Sequence, residues 1–288
     1  MAKSSKPNPY EIVTQRILAE IDAGVAPWQK PWATIQPRSM STNKPYRGIN
    51  LFLLGSGYWG TFNKIKELGG KVRKGEKSSK AVFWSLFDGH DKDGNDKKIP
   101  MLRYYNVFHQ DQADWPEGLP ERFKAQGLPG TDNERVAAAE QIVLEYKKAD
   151  NAPTFLPETG NRACYAPKTD EIEVPSLASF VSTPHYYSTL FHEMGHSTGH
   201  GTRLAREGVT DFDAFGSHQY AQEELVAEMT AAMLLGTIGM VDDTLKASAS
   251  YLAHWRSKIS DDPKLIVRAA GQAQKAADLI LGVKWDED

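Results

Sequence analysis

The run His192-Glu193-Met194-Gly195-His196 constrains this chain more than any other feature of its sequence. Histidines four residues apart lie on one side of an α-helix, one turn from each other, so the run predicts a helix that offers both imidazoles to one ion. Imidazole suits Zn²⁺, and a catalytic zinc site uses three protein ligands and leaves one position open. Glu193 is rotated by about 100° from His192, so it is placed to act on the metal-bound water as a general base.

A third ligand is expected from a second helix, predicted over residues 217–236. Glu224 and Glu228 are four positions apart and share a face of that helix, and Ala227 leaves room for another helix to approach. His200 is a further alternative, although Gly199 is expected to fray the first helix before it. A group of carboxylates without a cation would repel one another, which disfavours a metal-free surface helix.

Such a site predicts hydrolysis at a carbonyl group. The metal lowers the pKa of its water and polarises the carbonyl, and Glu193 passes the proton to the leaving amine. Two histidines and a glutamate with a single base favour this chemistry over phosphodiester cleavage, so a metal-dependent nuclease is the weaker hypothesis. The oxyanion requires a hydrogen-bond donor, and four side chains are candidates: Tyr186, Tyr187, His218 and Tyr220.

The charge of the chain divides it into two halves. Residues 1–110 carry 18 Lys and Arg against 9 Asp and Glu, whereas residues 111–288 carry 16 against 28. The basic half predicts a polyanionic partner, and the split argues against a protein that imitates DNA by negative charge throughout. Prolines and glycines are dense over 111–131, which is typical of a domain boundary. We therefore predict a first domain over 1–110, a linker over 111–131 and a second domain over 132–288.

Cations and aromatic residues are interleaved in the basic half. Seven Lys or Arg and three Gly lie between positions 64 and 80, and the aromatic residues that precede them include Trp28, Trp32, Tyr46, Tyr58, Trp59 and Phe62. Cations that follow a phosphate backbone, with rings on which bases stack, are what binding of single-stranded nucleic acid requires. For any single ring, a place in the hydrophobic core is the competing interpretation. The predicted DNA contacts are Trp32, Tyr46, Arg47, Lys64, Arg73, Lys74 and Lys77.

Turn and cap signals predict the secondary structure. In the first half we expect a helix that begins at Asn8-Pro9 and stops at Gly24, an extended segment over 26–32, a helix over 61–68, strands over 81–84 and 103–108, and a polar loop over 90–98. In the second half we expect a helix capped by Thr131, short strands near 164–165 and 171–174, and helices from 183, over 217–236, 243–258 and 262–282. The fold class is therefore α+β.

Nothing in the sequence predicts a membrane segment. No stretch approaches 18 apolar residues, and no apolar run follows the basic residues of positions 1–7. Cys164 is the single cysteine of the chain, so no disulfide forms within it, which fits a reducing cytoplasm.

Taken together, these motifs resemble the ArdC-type antirestriction proteins of conjugative plasmids. In the first half the likeness rests on GVAPW (24–28), PW (31–32), PYRGIN (45–50), GGKVRKGEK (69–77) and VF (107–108). In the second half it rests on GNRA (160–163), FHEMGHSTGH (191–200), RL (203–204), FGS (215–217) and YAQEELVAE (220–228). The likeness thus extends over most of the chain.

The resemblance implies a basic α+β domain that binds single-stranded DNA, then a helix-rich, zincin-like metallopeptidase domain with a small sheet. It implies protection of incoming plasmid DNA from restriction in a bacterial cytoplasm. The partners would be single-stranded DNA, double-stranded DNA as a second possibility, and a protein substrate such as the host restriction machinery. A DNA-coating protein whose metal only stabilises the fold is the alternative.

The resemblance also implies the ligand set. In the glutamate helix of gluzincins, the residue three positions after the acidic ligand is small, and the residue four positions after it is often acidic. Glu224 would then be the third ligand, and Glu228 would hold a histidine ring in its tautomer, with the reverse assignment still open. One divalent metal is expected, zinc in the first place and Mn²⁺ or Co²⁺ as alternatives.

Overall fold

A computed structural model of the protein describes residues 8–29, 35–90, 96–123, 131–157, 160–210, 218–240 and 247–283. Trp32 and the predicted turn at Asp93-Gly94 lie outside the described residues, as does the side chain of His218. The fold is α+β with two domains, as predicted, and helices outweigh the small sheets.

The described residues of the first half form three α-helices and six strands. The helices are α1 (Pro9–Asp22), α2 (Asn50–Leu53) and α3 (Phe62–Glu67), and the strands are β1 (Arg38–Ser39), β2 (Tyr58–Gly60), β3 (Lys71–Val72), β4 (Ser79–His90), β5 (Asp96–His109) and β6 (Ala113–Asp114). Asn8 and Glu11 form the predicted capping box of α1, and Thr61 caps α3. These confirm the helix starts, because short polar side chains satisfy the free N–H groups of a first turn.

The main sheet of this half has the strand order β1-β2-β5-β4. The antiparallel pair β4–β5 is a long hairpin in which His90 is paired with Asp96 and Lys98 with Asp88. The prediction of a loop over 90–98 is therefore wrong for positions 90 and 96–98. Polarity indicated a loop there, but a strand that meets solvent on both sides also tolerates polar residues.

A second, smaller core lies beside this sheet. It joins Met40, Tyr58 and Ile65 to Ala113 and Phe123, with the β3–β6 pair alongside. Ala113 and Phe123 come from the segment predicted to be a linker, so this segment contributes packed side chains to the front half. The domain boundaries themselves stay a prediction.

In the second half, the part of the chain that the structure describes forms six α-helices and one small sheet. The helices are α4 (Asp132–Lys147), α5 (Thr183–Ser197), α6 (Glu207–Thr210), α7 (His218–Ile238), α8 (Ala249–Asp261) and α9 (Leu265–Ile280), and the strands are β7 (Thr154–Phe155), β8 (Cys164–Ala166) and β9 (Glu171–Glu173). The central strand β9 pairs parallel with β7 and antiparallel with β8. Helix α7 packs between α5 and α9 and forms the centre of the core.

The two halves share their largest hydrophobic core. Ile17 of α1 and Trp28 belong to the same buried cluster as Leu225 of α7. The Trp28 ring packs edge-on against Trp255 of α8, with centroids 5.9 Å apart. Trp28 lies in a short 3-10 turn, Pro27–Gln29, where an extended segment was predicted. The start of the chain is thus anchored in the back half.

Candidate metal centre

Helix α5 places His192 and His196 on one face, as their spacing predicted. Their Nε2 atoms lie 3.0 Å apart. Burial, with the charge of His196 beside it, lowers the pKa of His192 to about 3, so this imidazole stays neutral as a metal ligand requires.

Helix α7 brings Glu224 to the same point. One carboxylate oxygen lies 3.7 Å from Nε2 of His192, and the other lies 3.5 Å from Nε2 of His196. The two helices approach closely because small residues meet between them: a Cβ on Gly195 would lie 3.2 Å from the Cα of Ala227. Ala227 therefore provides the close contact that the sequence predicted.

The three side chains fit a single tetrahedral ion. One ligand atom from each lies within 4.8 Å of the others, and no other such group of His, Cys, Asp and Glu was found among the described residues. Metal–ligand bonds of about 2.0–2.1 Å in a tetrahedron separate the ligand atoms by about 3.4 Å. The two Nε2 atoms lie 3.0 Å apart, and each lies 3.5 or 3.7 Å from a different oxygen of Glu224, which is close to that value. Glu228 and His200 are not members of this group.

Glu223, and not Glu228, holds the histidine ring. Its Oε1 atom lies 3.2 Å from Nδ1 of His196, so the opposite nitrogen faces the metal position. The prediction that Glu228 holds a histidine ring is therefore wrong, and Glu223, five positions earlier on α7, has this contact. Neighbouring residues on a helix point about 100° apart, which lets Glu224 face the metal while Glu223 faces the far side of the same imidazole.

A buried arginine completes this support. The guanidinium of Arg206 donates to both oxygens of Glu223, at 2.8 and 2.6 Å, and Nη2 also donates to the Gly195 carbonyl. Burial works to raise the pKa of Glu223, but the bonds from Arg206 and His196 hold it below its usual value. No sequence signal pointed to Arg206, because this residue immediately precedes α6 and belongs to no metal motif.

Glu193 lies near the metal position, where its carboxyl group interacts electrostatically with His196 and Glu224. It is 8% exposed, and burial raises the pKa of its carboxyl group. The backbone N–H of Tyr165, in the edge strand β8, donates a hydrogen bond to it. Arg203 and Asp170 fix the other end of Tyr165, because the tyrosine hydroxyl lies 2.8 Å from Asp170, which Arg203 contacts in turn. Glu193 is therefore held between α5 and β8.

Glu228 has a different set of partners. Its Oε2 atom accepts a hydrogen bond of 2.7 Å from the indole of Trp28 and another from the Tyr251 hydroxyl. Burial raises the pKa of Glu228 to about 7. This carboxyl group consequently joins the start of the chain and α8 to the helix that carries Glu224.

Of the oxyanion candidates, Tyr220 lies beside the site. Its hydroxyl is hydrogen-bonded to Glu224, and burial raises its pKa to about 12, so it stays protonated at neutral pH. Tyr187 is 1% exposed and donates to Glu140, and Tyr186 is 7% exposed and packs against Phe180. His200 lies in the turn after α5, where its Nδ1 contacts Thr202.

Comparison with known proteins places this geometry in a family. A model described as "Zincin-like metallopeptidase" matches residues 146–272, and one described as "N-terminal domain of anti-restriction factor ArdC" matches residues 7–108. The metal-free crystal structure of the antirestriction protein ArdC from plasmid R388 superposes on this chain with a TM-score of 0.75. The two sequences are 38% identical, and the match covers 96% of this chain and 97% of the R388 chain. The chain belongs to the ArdC family of antirestriction proteins. A Mn(II)-bound structure of the R388 protein matches with a TM-score of 0.73 at the same identity, over 96% of this chain and 98% of its own.

Longer proteins contain a region similar to this ArdC-family chain. Two DNA primases TraC of Escherichia coli are 33% and 32% identical over 94% and 98% of the chain, which spans 20% and 28% of their lengths. An uncharacterized protein y4eC of Sinorhizobium fredii is 31% identical over 93% of this chain and 90% of its own. The family resemblance and the Mn(II)-bound neighbour together indicate a divalent metal at the site.

The structure corrects the predicted DNA contacts of this ArdC-family chain. Tyr46 is only 9% exposed, so its ring lies in the core and is withdrawn as a base contact. Of the other rings in the basic half, Trp28, Tyr58 and Trp59 are also buried, and Phe62 is 54% exposed. Aromatic content does not predict exposure, because large rings stabilise a core as readily as they stack on bases.

Several predicted cations have partners within the protein. Arg47 contacts Asp278 of α9, Lys64 contacts Glu67, and Arg73 contacts Glu76 and Asp114. Lys74 and Lys77 lie exposed in the turn between β3 and β4. Within the described residues, no helix combines the length and the apolar character that crossing a bilayer requires.

Proposed function

We propose that this ArdC-family protein binds single-stranded DNA through its front half and hydrolyses peptide bonds at the metal centre of its back half. The observation that carries the peptidase proposal is the convergence of His192, His196 and Glu224 beside the buried carboxyl group of Glu193. Two imidazoles and one carboxylate are a ligand set that suits Zn²⁺, with Mn²⁺ and Co²⁺ as alternatives.

In the proposed hydrolysis, the metal and Glu193 have different roles. A bound zinc ion would polarise the substrate carbonyl and lower the pKa of the attacking water. Glu193 accepts a proton from that water and delivers it to the nitrogen of the leaving amine as the C–N bond breaks. Burial raises the pKa of Glu193, which makes its carboxylate a stronger base toward the water.

Two further groups position the substrate and the base. The Tyr220 hydroxyl, protonated at neutral pH, would turn from Glu224 to donate to the oxygen on which negative charge develops. The N–H of Tyr165 donates to Glu193 and restrains its carboxyl group. A protein of the host restriction machinery is the substrate that this function would require.

The test compares wild type with Glu193→Gln, which keeps the size of the side chain and removes the base. We expect cleavage of labelled denatured casein to fall by about 100-fold or more, while metal content by mass spectrometry stays at one ion per chain. Glu207→Gln is the matched control, since Glu207 lies exposed on α6 in the same domain. Cleavage that survives in Glu193→Gln would contradict the proposed base.

The same variant separates the alternative functions. If plasmid transfer into a restricting recipient is protected equally by wild type and Glu193→Gln, DNA coating with a structural metal replaces the peptidase proposal. Cleavage of labelled single strands in Mg²⁺ or Mn²⁺ by the purified protein would instead favour a nuclease. The chain's own ligand set argues against the nuclease, because it provides one base and one metal position.

The DNA proposal rests on charge and on the family. Residues 1–110 have twice as many Lys and Arg as Asp and Glu, 18 against 9, and the matching family model covers nearly all of them. Fluorescence anisotropy with single-stranded and duplex oligonucleotides of equal length tests it. We expect tighter binding to the single strand and a decrease of affinity with salt; equal affinity for the duplex would contradict the preference.

A further inference from the structure

Exposed apolar side chains concentrate on the hairpin of β4 and β5. Five of them stand there with 41–63% of their surface exposed: Phe83, Trp84, Leu86, Ile99 and Met101. At the base of the same hairpin, Ala81, Val82 and Leu102 are buried. The hairpin is therefore anchored at one end and projects apolar side chains into solvent along the rest, which an ordinary surface strand avoids.

The register places rings and a cation on one face. Phe83 pairs with Arg103, and Phe87 pairs with Ile99, so these four side chains point to the same side. The guanidinium of Arg103 lies 4.4 Å from the centroid of the Phe87 ring, and Phe83 leans against Tyr105. On the opposite face, the ring of Trp84 is 55% exposed.

Cations follow the hairpin from its base. The basic turn between β3 and β4 leads directly into β4, where Nζ of Lys80 lies 4.9 Å from the Tyr104 ring. Lys97 is exposed near the far end, and Lys98 there pairs with Asp88. Cations beside ring faces suit a partner that presents both phosphates and unstacked bases. A duplex presents phosphates but keeps its base faces stacked.

We propose that the β4–β5 hairpin is the surface on which single-stranded DNA stacks its bases, with Phe83, Phe87 and Arg103 as the contacts on one face and Trp84 on the other. This inference rests on the proposed DNA function and replaces the buried rings of the first prediction. The net positive charge of residues 1–110 favours a polyanion over a second copy of the chain as the occupant.

The experiment measures the affinity of the full chain for a labelled oligothymidylate of about 16 nucleotides. We expect Phe83→Ala and Arg103→Ala each to weaken binding by about 10-fold. Phe62→Ala is the matched control: this ring is 54% exposed and packs against Phe108, but it belongs to α3 and not to the hairpin. Its affinity should stay within about twofold of wild type. Near-ultraviolet circular dichroism and metal content check that each variant is folded.

A second readout does not depend on affinity. Bases that stack on Trp84 quench its fluorescence, so oligothymidylate should quench wild type more than Trp84→Phe, which keeps a ring for stacking. Equal quenching of the two proteins would overturn the assignment of Trp84.

The outcomes separate the inference from the function on which it rests. If wild type binds and the hairpin variants bind equally well, or if Phe62→Ala loses as much affinity as Phe83→Ala, the hairpin inference is overturned and DNA binding stands. If wild type binds no single strand, the proposed DNA function itself is overturned. If Phe83→Ala changes only the sedimentation of the protein, from dimer to monomer, the hairpin is an interface between copies and the inference is also overturned.

Discussion

The metal centre and the β4–β5 hairpin hold their functional side chains in opposite environments. At the metal centre, Glu193, Glu223 and Arg206 are 8%, 4% and 6% exposed. On the hairpin, Phe83 and Trp84 are 41% and 55% exposed. A buried charged group is tolerated only with fixed partners, so the first region is rigid and specific. Exposed rings have no such requirement and accept a ligand of variable sequence, which suits a nucleic-acid surface.

The sharpest test of this comparison uses one arginine–glutamate pair from the metal centre and one from the exposed turn that precedes the hairpin. Arg206→Met leaves Glu223 buried without its cation, so we expect the free energy of unfolding to fall by about 3–5 kcal/mol. Arg73 pairs with Glu76 on the surface, and Arg73→Met should leave the stability within the scatter of the measurement, because water replaces an exposed partner. Urea unfolding of both variants at pH 7 measures the difference. Equal losses would show that burial does not distinguish the two regions.

The second test examines Glu228, where Trp28 of the front half enters the buried region. The pKa of Glu228 is about 7 in the folded protein, above the usual 4.5. The folded state therefore keeps a proton that the unfolded chain has lost, so this group lowers stability as pH rises from about 4.5 to about 7. Gln does not titrate, and Glu228→Gln should gain about 2–3 kcal/mol relative to wild type between pH 5 and pH 8. Urea unfolding across that range checks it, and parallel pH profiles would contradict it.

The smallest effect concerns the contact between the two metal helices. Gly195→Ala puts a methyl group 3.2 Å from the Cα of Ala227, and we expect a net loss of about 1–3 kcal/mol with weaker metal binding. Gly271→Ala is the control within α9, because no atom lies within 4 Å of its added Cβ. That variant should gain up to about 1 kcal/mol from helix propensity. Thermal unfolding of the two variants, with and without added Zn²⁺, measures these changes. If Gly195→Ala is more stable than wild type, the contact between α5 and α7 does not limit the size of the side chain at this position.

The success of prediction differed between these regions for a physical reason. The spacing of His192 and His196 determined their common face, because helix geometry converts sequence distance into direction. The same geometry left Glu224 and Glu228 equivalent, and only packing decided between them: Trp28 and Tyr251 contact Glu228 from elements far away in sequence. The residue that contacts the imidazole of His196 is Glu223 and not Glu228. Its partner Arg206 lies 17 positions earlier, outside α7.

In the front half, composition was a weaker guide. The net charge describes residues 1–110 as a basic half, and the strands predicted over 81–84 and 103–108 lie inside the hairpin of β4 and β5. The ring of Tyr46 was predicted to contact DNA and lies in the core. Phe83 and Trp84 were recognised only as strand residues, since alternation along a strand does not say whether either face is covered.

The sequence by itself determined the helical metal motif, the family, the α+β class and the basic character of the first half, because each depends on local spacing or on summed composition. Only the tertiary structure decided which glutamate supports the histidine, which rings are buried and where apolar surface meets solvent. Those outcomes depend on contacts between segments as distant as Trp28 and Glu228, and burial is a property of the whole packed chain, not of any stretch within it.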